Sequence, residues 1–93
     1  MVWRKFDTTI VEDRAALEQW GRSFGADYAH SDRFSNNVKA QIDEAKKILK
    51  KFIDNVDEDF QDHVSILGDY EVAEFLFSAG FVAGVRSEIV GVE

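Results

Sequence analysis

Two Gly-x-x-x-Gly pairs, Gly21 with Gly25 and Gly80 with Gly84, fall inside stretches whose apolar spacing is otherwise helical. Each is interleaved with aromatic residues, Trp20 and Phe24 in the first and Phe77 and Phe81 in the second. A glycine in a helix interior costs about 1 kcal/mol relative to alanine. Two such pairs therefore mark positions where close backbone approach outweighs helix propensity. They speak of packing rather than chemistry, and they favour helices that cross with little side chain between their axes.

The 93 residues make one domain, residues 1–93, with room for a single modest core. A hydrophobic content of 45% with 13% aromatics excludes a disordered chain despite the 31% charged residues. With no cysteine, neither a disulfide framework nor a thiolate metal site is available. The N-terminal residues carry Arg4 and Lys5 with no apolar run behind them, unlike a signal peptide. The longest apolar stretch, Val72 to Val85, is 14 residues long and contains Glu74. A bilayer span needs about 20. A cytoplasmic protein with no membrane contact is the expectation.

The chain has no proline, no Gly/Ser linker and no low-complexity tract, a pattern that favours long helices. Val2 to Phe6 alternates loosely and has no evident strand partner, so it is expected to be an arm whose Trp3 and Phe6 pack on helices. Thr9-Ile10-Val11-Glu12 fits a capping box, in which the threonine hydroxyl and the glutamate satisfy each other's end of the first turn. Ile10, Leu17, Trp20, Gly21, Phe24 and Tyr28 then follow at helical spacing to about Ala29, before a turn at His30 and Ser31. A second helix starts between Ser31 and Ser35. Phe34, Val38, Ile42, Ala45, Ile48, Leu49, Phe52 and Val56 trace its apolar face, opposite Lys39, Asp43, Lys46, Lys47 and Lys50.

Asn55 to Glu58 offers a cap for a short third helix with Phe60, Val64 and Leu67 on one side, stopped by a left-handed Gly68. Asp69 caps a fourth, in which Val72, Phe75, Leu76, Ala79, Phe81, Val82, Val85 and Ile89 leave almost no polar face before Arg86. A helix apolar nearly all round is buried on several sides. It is either the centre of the bundle, crossing the first helix at the glycines, or half of a homodimer interface built on Gly80, Gly84, Phe77 and Phe81.

Charge is segregated. Net charge is -7, from 18 acidic and 11 basic residues, a surface that repels nucleic acid and anionic membranes. Between Lys51 and Arg86 there is no Lys or Arg, while Asp54, Asp57, Glu58, Asp59, Asp62, Asp69, Glu71 and Glu74 all fall there. These eight acids form either a partner-binding surface that imitates nucleic-acid phosphates for a basic protein, or the ordinary accumulation of acids at helix N-termini.

Signals for catalysis are missing. Counted from Asp57, an EF-hand would need glycine at its sixth position and glutamate at its twelfth, where this chain has Asp62 and Gly68. Asp59 and His63 are four apart but lack further metal ligands. His30 and His63 lie in no nucleophile motif, and Glu44, Glu74 and Glu88 lack the Glu-x-x-His spacing of di-iron bundles. No catalytic residue, cofactor or metal is expected. A small apolar ligand between the first and fourth helices is a weaker alternative, since the same aromatics serve as core.

The run Phe77-Ser78-Ala79-Gly80-Phe81-Val82-Ala83-Gly84-Val85-Arg86, with Glu88 just after, resembles the C-terminal helix of small helical proteins of Gram-positive bacteria and their phages. There an aromatic-x-x-Gly-Phe-x-x-Gly-x-Arg pattern follows a long charged helix and a shorter acidic one, an order matched from about Ser35 to Ile89. Val82 stands where those proteins commonly have a basic residue, and Val2 to Phe6 has no counterpart. Those families are uncharacterised, so the resemblance implies a helical fold and a mobile-element origin, with no activity and no functional residues. The sequence thus predicts an all-α bundle of about four helices with a packed N-terminal arm. It would be a non-catalytic protein-binding module, an acidic regulator or inhibitor of the anti-restriction or anti-CRISPR kind, or else a self-associating helical protein.

Overall fold

The computed structural model describes residues 2–54 and 62–90. Its elements run β1 (Val2–Asp7), α1 (Val11–Ala29), α2 (Val38–Asp54), β2 (Asp62–Leu67) and α3 (Tyr70–Val90). The protein is mostly helical, but among the described residues there are three helices rather than four. The segment expected to carry a third helix is instead a strand from Asp62, and the expected arm is its partner. β1 and β2 pair in parallel with Val2 opposite Asp62 and Asp7 opposite Leu67. Val64 and Leu67 fit a helical spacing, but Val64-Ser65-Ile66 also alternates as a strand does, and the strand reading prevails. Val64 is buried and Ile66 packs against the core on the same face as Phe6. What decides it is a strand partner some sixty residues away.

Each strand leads through a tight turn into a helix. Gly68, the expected left-handed residue, has φ 87°, and it ends a strand rather than a helix. The buried Thr8 ties the two turns together: its N–H donates to the Leu67 carbonyl at 3.0 Å, and its hydroxyl accepts from the Asp69 N–H at 2.8 Å. Asp69 caps α3 as expected, its Oδ1 accepting from the Glu71 N–H at 2.9 Å. α1 starts differently from the expected capping box. Ile10 holds the cap position without a side-chain bond, and the Thr9 hydroxyl donates at 2.6 Å to Asp7 Oδ1, which also accepts the Thr9 N–H. The Asp7 N–H in turn donates to Asp13 at 2.9 Å.

α2 begins at Val38, a little later than expected, because residues 30–37 are held as a loop. The Tyr28 hydroxyl accepts the Ser35 N–H at 3.0 Å, and Gln41 donates to the Ser35 carbonyl at 2.8 Å. Asn37 then caps the helix, accepting from Lys39 at 2.9 Å and Ala40 at 3.3 Å.

The four glycines join α1 to α3. A methyl built on Gly21 falls on the carbonyl oxygen of Phe77, one on Gly25 on that of Phe81, one on Gly80 on that of Glu18, and one on Gly84 on that of Arg22. Each glycine thus faces the carbonyl three residues before its counterpart in the other helix, so α1 and α3 are parallel and related by a local two-fold. The β1–α1 and β2–α3 units are two copies of one architecture, with α2 between them in sequence. Backbone contact at this range is accessible only to glycine and admits Cα–H···O contacts. The rings beside the glycines close the flanks: Trp20 lies 5.2 Å from Phe77, and Tyr28 lies 5.2 Å from Phe81. Leu17, Leu49, Phe77, Phe81 and Val85 are fully enclosed.

Candidate functional site

Gly80, Gly84, Phe77 and Phe81 belong to the scaffold. All are buried against α1 within one chain, so this face is not free to meet a second copy. α3 is the central helix, yet its neighbours do not cover it entirely. Its glycine face meets α1, and Ala73, Phe77 and Phe81 enter the core. A third face carries Phe75, which is 70% exposed.

That face forms one wall of an open groove of about 630 Å³, with Glu71, Glu74, Phe75, Ser78, Ala79 and Val82 from α3 and Val38, Ile42 and Lys46 from α2. Phe75, Ala79 and Val82 recur at helical spacing, and Val38 and Ile42 are one turn apart on the facing helix. The floor is apolar apart from Ser78, whose buried hydroxyl has no hydrogen-bond partner among the described residues.

The groove is polarised. At one end Lys46 Nζ stands 3.8 Å from Glu74 Oε1, with both side chains partly in water, so the pair is weak. Glu71 has no cationic partner among the described residues. Because α1 and α3 are parallel, their first turns lie at the same end of the molecule, and Glu12 and Asp13 join Asp69, Glu71 and Glu74 there, with Arg14 the cation of that turn. Glu12 and Asp13 escaped the sequence reading because they lie far from the acidic run along the chain. The equal spacing of Gly21 to Gly80 and Gly25 to Gly84 is the signal that could have found them.

The acidic window is therefore not one cluster. Asp54 closes α2 and Asp62 opens β2, whereas Asp69, Glu71 and Glu74 follow the far end of that strand. The six residues of β2 place about 17 Å between Asp62 and the start of the Asp69, Glu71 and Glu74 group. Asp57, Glu58 and Asp59 lie outside the described residues. The lysines of α2 gather elsewhere. Lys47 and Lys51, with Arg33 and Glu44, rim a separate depression of about 320 Å³ floored by Phe24, Ile48 and Phe52, where Arg33 and Glu44 pair at 2.9 Å.

His30 is exposed and lies 3.1 Å from Glu88 at the far end of the bundle. His63 lies on β2, so the helical spacing to Asp59 considered for a metal does not apply. Among the described residues no group of three or more His, Asp and Glu is placed to hold a metal ion, and no helix is long and apolar enough to cross a membrane. No family model matches the chain, and no curated protein or solved structure matches it either.

Proposed function

We propose that this chain is a small, non-catalytic protein-binding module that docks a basic partner through the α2–α3 groove and its acidic end. The observation that carries this reading is Phe75: a phenylalanine 70% exposed on the central helix, beside Glu71 and Glu74. An apolar strip that ends in two carboxylates, with Lys46 at long range from only one of them, marks an interaction surface. A net charge of -7 adds steering toward cationic surfaces, and nucleic-acid-binding proteins present such surfaces. Stoichiometric blockade of such a partner, in the manner of a phage-borne anti-restriction or anti-CRISPR protein, is the most concrete form of this proposal. Its mobile-element part rests on the resemblance of residues 77–88 alone.

The test compares the wild-type chain with Phe75→Glu in capture from cells of the native host, followed by purification of what is retained. Support is a basic protein held by the wild type, released as salt rises from 50 to 300 mM, lost with Phe75→Glu, and blocked from its nucleic acid at one-to-one stoichiometry. Retention that ignores both salt and Phe75→Glu overturns the proposal. The second reading is self-association. With the glycine face occupied by α1, this groove is the apolar surface considered for it, and concentration-dependent light scattering abolished by Phe75→Glu would replace the first reading.

A further inference from the structure

We propose that the occupant of the α2–α3 groove is a basic amphipathic α-helix of about three turns, contributed by another protein. This rests on the reading of the groove as a docking surface and names what docks there.

Backbone chemistry selects a helix. Both walls are α-helices, whose N–H and C=O groups are already bonded to each other, so the groove offers an incoming chain only side-chain groups at its acidic end and the hidden Ser78 hydroxyl. An extended peptide would leave its own N–H and C=O groups unmatched over the apolar floor, whereas a helix satisfies them internally. The dimensions agree. Val38 to Lys46 extends about 12 Å along α2 and Glu71 to Val82 about 17 Å along α3 at 1.5 Å per residue, matching roughly eleven helical residues. Ala79, between Phe75 and Val82, leaves a notch for one large apolar side chain, with further anchors one turn to either side.

Charge selects a basic helix and opposes a second copy. Among the described residues Glu71 has no cation and Glu74 has only the long contact with Lys46, so a Lys or Arg at the occupant's flank gains two carboxylates. Two copies meeting groove to groove would bring together chains that each carry -7, a repulsion a basic helix does not meet.

The experiment titrates the whole chain with three synthetic twelve-residue peptides, followed by amide chemical shifts. One has leucines at i, i+4 and i+7 with lysine flanks; the second has glutamate flanks; the third has the lysine flanks and a central proline that breaks the helix. The lysine peptide should bind with micromolar to sub-millimolar Kd and shift residues 38–46 and 71–82. The other two should bind at least about tenfold more weakly. Ala79→Arg should weaken the lysine peptide by about tenfold or more, and Glu71→Lys with Glu74→Lys should reverse the preference between lysine and glutamate flanks. An unchanged melting curve for each variant confirms that folding is intact.

Equal binding of the proline peptide, equal binding of the glutamate peptide, shifts centred on Phe24, Lys47 and Phe52, concentration-dependent dimerisation through the groove, or no binding at all each overturn the inference. A host partner that is lost on Phe75→Glu while the lysine peptide fails to bind would leave the docking groove standing and remove only its helical occupant. Partner and peptide both indifferent to Phe75→Glu would remove the two together.

Discussion

Replacing Gly25 by alanine puts a methyl group on the carbonyl oxygen of Phe81, and replacing Gly84 puts one on that of Arg22, within the same crossing of α1 and α3. Both obstacles are backbone atoms of a helix, so no side chain can swing aside and the axes must part by about an ångström. A gap of 0.5–1 Å already forfeits a quarter to a half of each dispersion contact along the seam, and overpacking of this kind costs roughly 1–3 kcal/mol. Alanine returns about 1 kcal/mol of helix propensity. Each single variant should therefore be destabilised by up to about 2 kcal/mol, or as much as about 8–16 °C in Tm for a domain of this size. The double variant Gly25→Ala with Gly84→Ala should lose clearly less than the sum, because the separation forced by the first methyl accommodates the second. Urea unfolding followed by circular dichroism measures all four corners of the cycle. Stabilisation of about 1 kcal/mol by either alanine is what an open helix face would give, and it would refute the close crossing. Strict additivity would refute the shared separation.

Further outcomes follow from single contacts. Thr8→Val keeps the volume but leaves the Asp69 N–H without its 2.8 Å acceptor, and should cost about 1–3 kcal/mol in urea unfolding. Asn37→Ala removes the acceptor for Lys39 and Ala40 and should cost about 0.5–2 kcal/mol by the same measurement. The Thr9 hydroxyl and then the Thr9 N–H hold the Asp7 carboxyl below its ordinary 3.8, so this contribution is full above that value and is lost as pH falls through the lower folded one. The stability difference between wild type and Asp7→Asn should accordingly shrink below about pH 4 in an acid titration followed by circular dichroism. Phe75→Glu replaces a side chain that is 70% exposed and should change Tm by no more than about 4 °C while removing partner binding.

What the sequence determined by itself is what local spacing can encode. The stripe from Leu17 to Tyr28, the face of α2 from Val38 to Phe52, the cap at Asp69 and the left-handed Gly68 all state conditions satisfied within a few residues of themselves. Even the glycine pairs declared a close crossing, because a glycine in a helix has a propensity cost that needs a packing reason. The tertiary structure decided everything that depended on a distant partner. Val2 to Phe6 is a strand only because Asp62 to Leu67 lies beside it, and nothing within either segment names the other. Asp62 and Asp69 are neighbours in the acidic run but stand at opposite ends of β2, while Glu12 and Asp13 lie at the same end of the molecule as Asp69 and Glu71 because α1 and α3 are parallel. The groove follows the same logic. An apolar residue such as Phe75 carries no mark telling whether its helix will be covered on that side; this depends on how many neighbours the fold supplies, and here α1, α2 and the strand pair leave one face of α3 open.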